Sequence, residues 1–163
     1  SITAGQALGE GDPEQARFEG WAIVALSVLV VGTIGVLLAL GAEPLARLFT
    51  DAPRTVAESV GFIRAYGIAA TPFVIFYALS GTLQGAGETR LPLLARMTGL
   101  LGFFLGLSYL VGVTLGLGSV GTYAGIALSY AWMALVLLWA FARSDWAGRA
   151  AGMIEARQAA DEQ

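Results

Sequence analysis

The chain has 163 residues, of which 56% are hydrophobic and only 13% are charged. Soluble domains are nearer half apolar and a quarter charged, so this composition favours a membrane protein. The chain has neither histidine nor cysteine, which excludes imidazole bases, thiol nucleophiles, disulfides and the commonest metal ligands. The net charge is −3 and no basic stripe is present, so a nucleic-acid partner is not expected. We therefore predict no enzyme activity, no catalytic residues, no metal site and no organic cofactor.

The apolar residues are concentrated in four blocks, each long enough to cross a bilayer as a helix of about 20 residues. Before the first block, residues 1–11 indicate the end of a preceding transmembrane helix and a turn. A new helix is predicted to start at Asp12 and Pro13, which are favoured at the first positions of helices. Its apolar part is the first span, residues 22–41. A short amphipathic piece at residues 42–54 then separates it from the next helix.

The second span is predicted to begin with a capping box, in which Thr55 is the N-cap and Glu58 lies three positions further on. This helix continues to about Leu83. The third span is predicted to start at Pro92 and to run to about Leu115. Periodicity within the blocks is weak, as expected when most helix faces meet lipid or other apolar helices.

A Gly-Leu-Gly-Ser turn leads into the fourth span, which ends near residue 142. The four spans make residues 12–142 one membrane-embedded unit, and the predicted fold class is an all-α polytopic bundle. The charged, small-residue-rich stretch at residues 143–163 is predicted to be a tail. Arginines are more frequent on the side that carries Arg90 and Arg143. The positive-inside rule therefore predicts a multi-pass plasma-membrane protein with a cytoplasmic C-terminus.

Two features inside the second span are candidates for function. Pro72 lies near mid-membrane, where it cannot donate a backbone hydrogen bond and leaves the carbonyl of Ile68 free. It is either a hinge or cavity-lining kink, or a tolerated proline whose free group is satisfied by Thr71. Arg64 lies nearer the start of the same span. It either snorkels to the headgroups or supplies a charge to a vestibule.

Polar and aromatic side chains within the spans are few, so a cavity between these helices would be mostly apolar, with scattered hydroxyl groups and ring faces. Such a wall suits bulky amphipathic or cationic molecules, the latter through cation–π contacts, although the same side chains also serve packing. The candidates for the cavity wall are Tyr66, Thr71, Pro72, Tyr77, Ser108 and Tyr130.

Glycines spaced four residues apart recur along the chain and allow helices to approach closely. Several such pairs arise by chance in a chain with 22 glycines, so their signal is weak. The pairs are Gly81/Gly85, Gly102/Gly106, Gly112/Gly116 and Gly121/Gly125.

Three polar stretches carry motifs. "LSGTLQGAGETRLP" has spaced glycines followed by a Gly-acid-Thr-Arg-x-Pro pattern, and "SITAGQALGEGDPEQAR" has a Gln-x-x-Gly-x-Gly-Asp pattern. With the outer connection "LARLFTDAPRTVAESVGFIRAYG", they resemble the multidrug and toxic compound extrusion (MATE) transporters over residues 1 to about 143. The residues that carry the motifs are Gln6, Gly9, Gly81, Gly85, Gly87, Arg90 and Pro92.

The resemblance implies a transporter of twelve helices in two lobes, of which this chain would be most of the C-terminal lobe. Such a protein exports cationic or amphipathic compounds in exchange for Na⁺ or H⁺ by alternating access. The implied partners are the lipid bilayer, the missing lobe and small organic cations. Some branches of the family carry an acid within the second span of this chain, but here that span has no carboxylate beyond Glu58. The coupling ion is therefore expected to bind outside this part of the protein.

Other interpretations remain open alongside this one. A lipid-linked oligosaccharide flippase of the same superfamily would usually show more basic residues facing its cavity. A non-transporting membrane scaffold would have no central cavity. The glycine-rich motif near Gly85 is predicted to be an architectural turn and not a binding site, because glycines and prolines mark chain reversals.

Overall fold

The computed structural model describes residues 13–143, together with Trp146, Gly148 and Gly152. The predicted helix end at residues 1–11, with Gln6 and Gly9, lies outside the described residues, as does most of the tail at 143–163. Asp12 of the predicted helix start also lies outside them. Within the described part every regular element is a helix, which confirms the all-α prediction.

Four long helices and one short helix build the described part of the chain. Each long helix is long and apolar enough to cross a membrane, so the prediction of an all-α membrane protein with four spans is confirmed. The helices are α1 (Glu14–Leu40), the short α2 (Ala42–Arg47), α3 (Pro53–Gly85), α4 (Arg90–Thr114) and α5 (Ser119–Arg143).

The contacts between helix termini define two ends of the bundle. At the first, which we name the Trp146 end, Arg17 near the start of α1 donates a hydrogen bond of 3.2 Å to the carbonyl of Ala142 near the end of α5. At the second, named the Phe49 end, Ser119 at the start of α5 donates to Glu58 near the start of α3. The long helices therefore alternate in direction, with the connection between α3 and α4 at the Trp146 end.

The long helices are arranged in the order α1, α3, α5, α4. Helix α3 packs on α1 at one side and on α5 at the other, and α5 also packs on α4. Much of the surface of α4 is exposed, including the large side chains Leu101, Tyr109 and Val113. An apolar surface of this extent is typical of helices that face lipid or other membrane helices.

Several of the largest fully buried side chains lie at the Trp146 end. Leu79 and Leu83 of α3 are fully buried there beside Phe141 of α5 and the following Trp146. The rings of Phe141 and Trp146 lie 4.8 Å apart, and Trp21 of α1 meets Phe141 edge-on at 5.3 Å. These contacts tie α1, α3 and α5 together at one end of the bundle.

The start of α3 differs from the predicted capping box. The helix begins at Pro53, and Ala52 is the N-cap, with an extended backbone and no side-chain hydrogen bond. Proline favours the first helical position and forces the preceding residue into an extended conformation, so the boundary falls at Ala52. Thr55 and Glu58 thus lie inside the helix, and the prediction that they form a cap is wrong.

The third span also differs from a simple α-helix. It begins at Arg90, so Pro92 lies in its first turn and is buried. Beyond Thr98 the backbone follows π-helical geometry over Gly99–Leu107 and Tyr109–Thr114. Long π-helical runs are rare, and no pattern in the sequence predicts this one.

The glycine-rich motif between α3 and α4 forms a helix stop followed by a restart. Gly87 has a φ of 81°, its N–H bonds to the carbonyl of Gln84, and the N–H of Glu88 bonds to the carbonyl of Leu83 at 2.8 Å. This pair of bonds is a Schellman motif, which requires a left-handed residue where glycine is favoured. The Glu88 carboxylate then accepts a bond from the N–H of Arg90 at the start of α4. These contacts agree with the predicted architectural turn.

Within that motif, the three glycines have different surroundings. Gly81 lies inside α3 and is partly buried, whereas Gly85 is the exposed last residue of that helix. Only at Gly87 among the three does the backbone adopt a positive φ. The turn therefore depends on one glycine and not on the spacing of all three.

Candidate functional site: an apolar groove between α1 and α3

An apolar groove of about 540 Å³ lies between α1 and α3. Its walls come from the second half of α1, the first half of α3 and one side chain of α5, and the segment around α2 covers one end. Pockets of 300–1,000 Å³ lined by apolar and aromatic side chains are typical of sites for small molecules. The lining residues are Val31, Ile34, Gly35, Leu38, Leu45, Phe49, Ile63, Tyr66, Gly67, Ala69, Ala70, Phe73 and Tyr130.

The floor of the groove is a close crossing of α1 and α3. A Cβ atom added to Gly67 would lie 2.6 Å from the carbonyl oxygen of Gly35, and one added to Gly35 would lie 2.8 Å from Cβ of Ala70. The two backbones are in contact here because neither glycine has a side chain. Small residues thus bring the helices together at the floor, while larger residues on either side build the walls.

The aromatic side chains of α3 form two pairs along the groove. Tyr66 packs on Phe62 with ring centroids 4.5 Å apart, and Phe73 packs on Tyr77 at 4.6 Å. Phe73 also meets Tyr130 of α5 edge-on at 5.0 Å. Packing of this kind limits ring motion and presents aromatic surface to the groove, where a cation could be held by cation–π attraction.

The structure brings together two of the predicted cavity residues, Tyr66 and Tyr130, as lining residues of this groove. Tyr77 does not line the groove, but its ring packs on the ring of Phe73, which does. Thr71 faces α1 instead, where its hydroxyl lies 3.2 Å from a Cβ added to Gly32. Pro72 is partly buried within α3, which remains one continuous helix across it, and it does not line the groove.

Ser108 lies away from the groove, at the contact between α4 and α5. Its hydroxyl is packed directly against Gly125, where no Cβ atom could be accommodated. The hydroxyl is buried and has no hydrogen-bond partner in the described part of the chain. Ser108 is therefore a packing residue here, and its prediction as part of the same cavity wall is not supported by its position.

The predicted vestibule charge, Arg64, lines a second and more polar pocket at the Phe49 end. Glu43, Arg47 and Asp51 line the same pocket, whose volume is about 450 Å³. Glu43 and Arg47 form an exposed ion pair of 2.8 Å, which contributes at most about 1 kcal/mol. Among the described residues no three acidic side chains converge as a metal site would require. Arg64 thus lies among polar side chains at the Phe49 end, and its role as a vestibule charge stays a prediction.

The sequence of this chain matches the family model MatE over residues 1–110, which is more than half of its length. The chain belongs to the MatE family. It is 31% identical to the multidrug resistance protein NorM of Burkholderia vietnamiensis and 29% identical to a probable NorM of Rhodopseudomonas palustris, covering 86% and 88% of this chain. It is 27% identical to the multidrug and toxin extrusion protein 2 of Mus musculus, over 90% of this chain.

This MatE chain corresponds to only part of those relatives. The matches cover 32%, 31% and 26% of the Burkholderia, Rhodopseudomonas and mouse proteins, so the chain spans about a third or less of their length. No solved structure gives a significant match. Membership of the family and the four apolar helices together establish a multi-pass membrane protein.

Several lining residues of the MatE groove were not among the sequence predictions. Phe49 follows α2, outside the predicted spans, and Gly35 and Gly67 do not form a four-residue pair. A signal for the aromatic wall was present, because Phe62/Tyr66 and Phe73/Tyr77 are spaced by four residues and share one helix face. The crossing glycines lie on different helices, so only the fold brings them together.

The predicted glycine pairs differ in whether their members contact another helix. Gly121 and Gly125 of α5 do pack on the backbone of α4, at Gly112 and near Phe104. Gly102 instead has nothing close to it, and Gly116 is a left-handed turn residue with a φ of 70°. The pair Gly112/Gly116 is therefore not a packing pair, because only its first member is in contact with another helix.

Proposed function

We propose that this chain is part of a secondary active transporter that exports cationic or amphipathic compounds in exchange for Na⁺ or H⁺ by alternating access. The observation that carries the proposal is the aromatic-lined groove in a member of the MatE family. The names of the relatives, multidrug resistance protein and multidrug and toxin extrusion protein, support it. In this proposal the protein lies in the plasma membrane, with the Trp146 end and the C-terminus on the cytoplasmic side.

The groove suits the recognition of varied compounds through shape and aromatic contact. No charged residue is among those that line it, so the apolar part of a molecule can enter without breaking an ion pair. The faces of Tyr66, Phe73 and Tyr130 attract a positive charge wherever it lies along the wall. A site of this kind recognises apolar bulk and positive charge more than any particular substituent.

The coupling ion is proposed to bind in the part of the protein outside this chain. Coupling requires a group whose charge or ligation changes between states, and within membranes that group is usually a carboxylate. The carboxylates of α1, α3 and the connections lie near the helix ends, as Glu19, Glu43 and Glu58 show, and none lines the groove. The missing lobe would also supply the surface against which this one rocks during alternating access.

A lipid-linked oligosaccharide flippase is the alternative from the same superfamily. Its anionic substrate would require basic side chains in the cavity, yet no arginine lines the groove and Arg64 lies in the neighbouring pocket. A membrane scaffold without transport would make no use of the groove. Both alternatives predict no drug export by this protein, and therefore no effect of a change in the aromatic wall.

The proposal is tested with ethidium efflux by cells that express the full-length protein. We expect Tyr66→Ala to weaken the interaction with the dye, because it removes one ring face worth about 0.5–2 kcal/mol, or roughly 2- to 30-fold in affinity. Tyr66→Phe keeps the ring and should retain most of the efflux. Tyr109→Ala is the matched control, since Tyr109 lies exposed on α4 away from the groove. Equal efflux by the Tyr66→Ala and Tyr109→Ala variants would contradict the proposal.

A further inference from the structure

The polar pocket that contains Arg64 lies between α2 and the first turns of α3, and we name it the α2 pocket. Its volume is about 450 Å³. Helix α3 supplies Arg64, with Val60 and Val56 one and two turns before it, so these side chains share one face of the helix. Helix α2 packs beside this part of α3 and supplies Glu43 and Arg47.

Four charged side chains line the α2 pocket, and two of them are unpaired. Glu43 and Arg47 form the ion pair of 2.8 Å and so offset each other's charge. The third is Asp51, in the connection between α2 and α3, and the fourth is Arg64. Neither of these two has an ion-pair or hydrogen-bond partner among the described residues. The pocket therefore presents one free negative group and one free positive group.

The two unpaired charges lie at different depths. Asp51 precedes α3, whereas Arg64 lies eleven positions after Pro53, about 16 Å along the helix axis toward mid-membrane. Leu48 and Phe49, which follow α2, are 77% and 88% exposed. Exposed apolar side chains on a short segment between two spans are typical of the boundary between headgroups and acyl chains. The unpaired charges thus lie where lipid headgroups meet the protein.

A phospholipid with an ethanolamine headgroup has its charges in the same order. Its phosphate lies next to the glycerol and the acyl chains, and its ammonium group lies further out. Arginine binds phosphate through paired, charge-assisted hydrogen bonds, and a carboxylate accepts such bonds from an ammonium group. Ile68, one turn beyond Arg64, is 68% exposed and offers apolar surface to an acyl chain.

We propose that the α2 pocket binds one phosphatidylethanolamine molecule, with its phosphate at Arg64, its ammonium group at Asp51 and an acyl chain along Ile68. The ammonium group of phosphatidylcholine is trimethylated and has no N–H to donate to Asp51, and phosphatidylglycerol has no positive group. The pocket therefore prefers the ethanolamine lipid to both. A lipid bound here joins α3 to the connection that precedes it. This inference does not depend on which compound the protein exports.

The test measures the binding of these three lipids to the purified full-length protein in detergent by native mass spectrometry. The wild type should bind phosphatidylethanolamine about two- to fivefold more tightly than phosphatidylcholine, as one exposed ion pair implies. Asp51→Asn removes the negative charge and should abolish this preference, while the binding of phosphatidylcholine stays unchanged. A loss of selectivity without a loss of affinity for the choline lipid is not expected from a merely structural role of Asp51.

Variants of Arg64 test the phosphate contact. Arg64→Gln should weaken the binding of phosphatidylethanolamine and phosphatidylcholine alike, roughly tenfold, because both carry the phosphate. Arg64→Lys keeps a positive charge and should remain within about threefold of the wild type. Arg54→Gln is the matched control, since Arg54 is exposed in the first turn of α3 and does not line the pocket. Thermal unfolding shows whether each variant is folded, and Asp51→Asn changes only an exposed residue of a connection.

A soluble headgroup distinguishes a lipid from a free zwitterion. Glycerophosphoethanolamine has the same charges but no acyl chains, and it should bind at least about tenfold more weakly than the lipid. If it displaces the lipid at equal concentration, the site takes a soluble compound and the proposal is wrong. The proposal is also wrong if Asp51→Asn keeps the ethanolamine preference, or if Arg64→Gln binds as tightly as Arg54→Gln. None of these results alters the ethidium assay, so the proposed function is tested separately.

Discussion

The crossing of α1 and α3 at Gly35 and Gly67 gives the most direct test of the packing. In Gly67→Ala, the new methyl group would lie 2.6 Å from the Gly35 carbonyl oxygen and 3.0 Å from Cβ of Ala39. Ordinary van der Waals contact begins near 3.4 Å, so α1 must move away by about 0.8 Å at this point. The atoms in the way belong to backbone and to a short side chain, which cannot rotate aside.

The cost of this substitution has two parts of opposite sign. Overpacking a close contact costs about 1–3 kcal/mol, whereas replacing a helical glycine by alanine stabilises the helix by about 0.5–1 kcal/mol. We therefore expect Gly67→Ala to lower the free energy of unfolding by roughly 1–2 kcal/mol. Gly102→Ala is the matched control, because nothing lies within 4 Å of the position that its methyl group would take. That control should be neutral or slightly stabilising.

The measurement is thermal unfolding of the full-length protein in detergent, followed by tryptophan fluorescence. The Gly67→Ala variant should unfold at a lower temperature than the wild type, and Gly102→Ala at the same temperature or a higher one. If the two variants unfold together, or if Gly67→Ala is the more stable, the helices do not cross at these glycines and the floor of the groove is different.

Three further outcomes are expected. Gly87→Ala should destabilise the protein by about 1–2 kcal/mol, because Gly87 has a φ of 81°. Gly87→Asn should cost less, since asparagine tolerates that conformation, and equal unfolding temperatures for the two variants would contradict this. In the naturally cysteine-free chain, an impermeant thiol reagent added to intact cells should label Arg54→Cys but not Arg90→Cys, and the reverse pattern would overturn the orientation. Pro72→Ala should reduce dye efflux in the full-length protein while its unfolding temperature is kept, and normal efflux would make Pro72 a tolerated proline.

The spans were predictable from the sequence because length and apolar content alone determine which segments can cross a bilayer. The boundary of α3 was not, since the capping rule that pointed to Thr55 competes with the stronger backbone constraint that Pro53 places on Ala52. The π-helical part of α4 could not be predicted from the sequence, because its residues are those found in any apolar helix.

The site was predictable only in its chemical character. An apolar wall with hydroxyls and rings was expected, and Tyr66 and Tyr130 do line one groove. Weak periodicity in α3 and α4 did not show which face each side chain occupies. Ser108 was for this reason predicted to lie in the same cavity wall as Tyr66 and Tyr130. Glu58 shows the limit of local rules most clearly, because the residues that bond to its carboxylate are 61 and 65 positions away in the sequence.

The two ends of the bundle are packed by different means, and this difference bears on transport. The largest buried side chains, including Leu79, Leu83, Phe141 and Trp146, lie at the Trp146 end, where they fix three helices to one another. Toward the Phe49 end the same helices are held by a glycine crossing and by the hydrogen bonds of Glu58, and cavities lie between them. A groove changes shape more easily where few buried contacts have to break. We therefore expect the Phe49 end to change shape when a substrate binds, while the Trp146 end moves as a rigid unit.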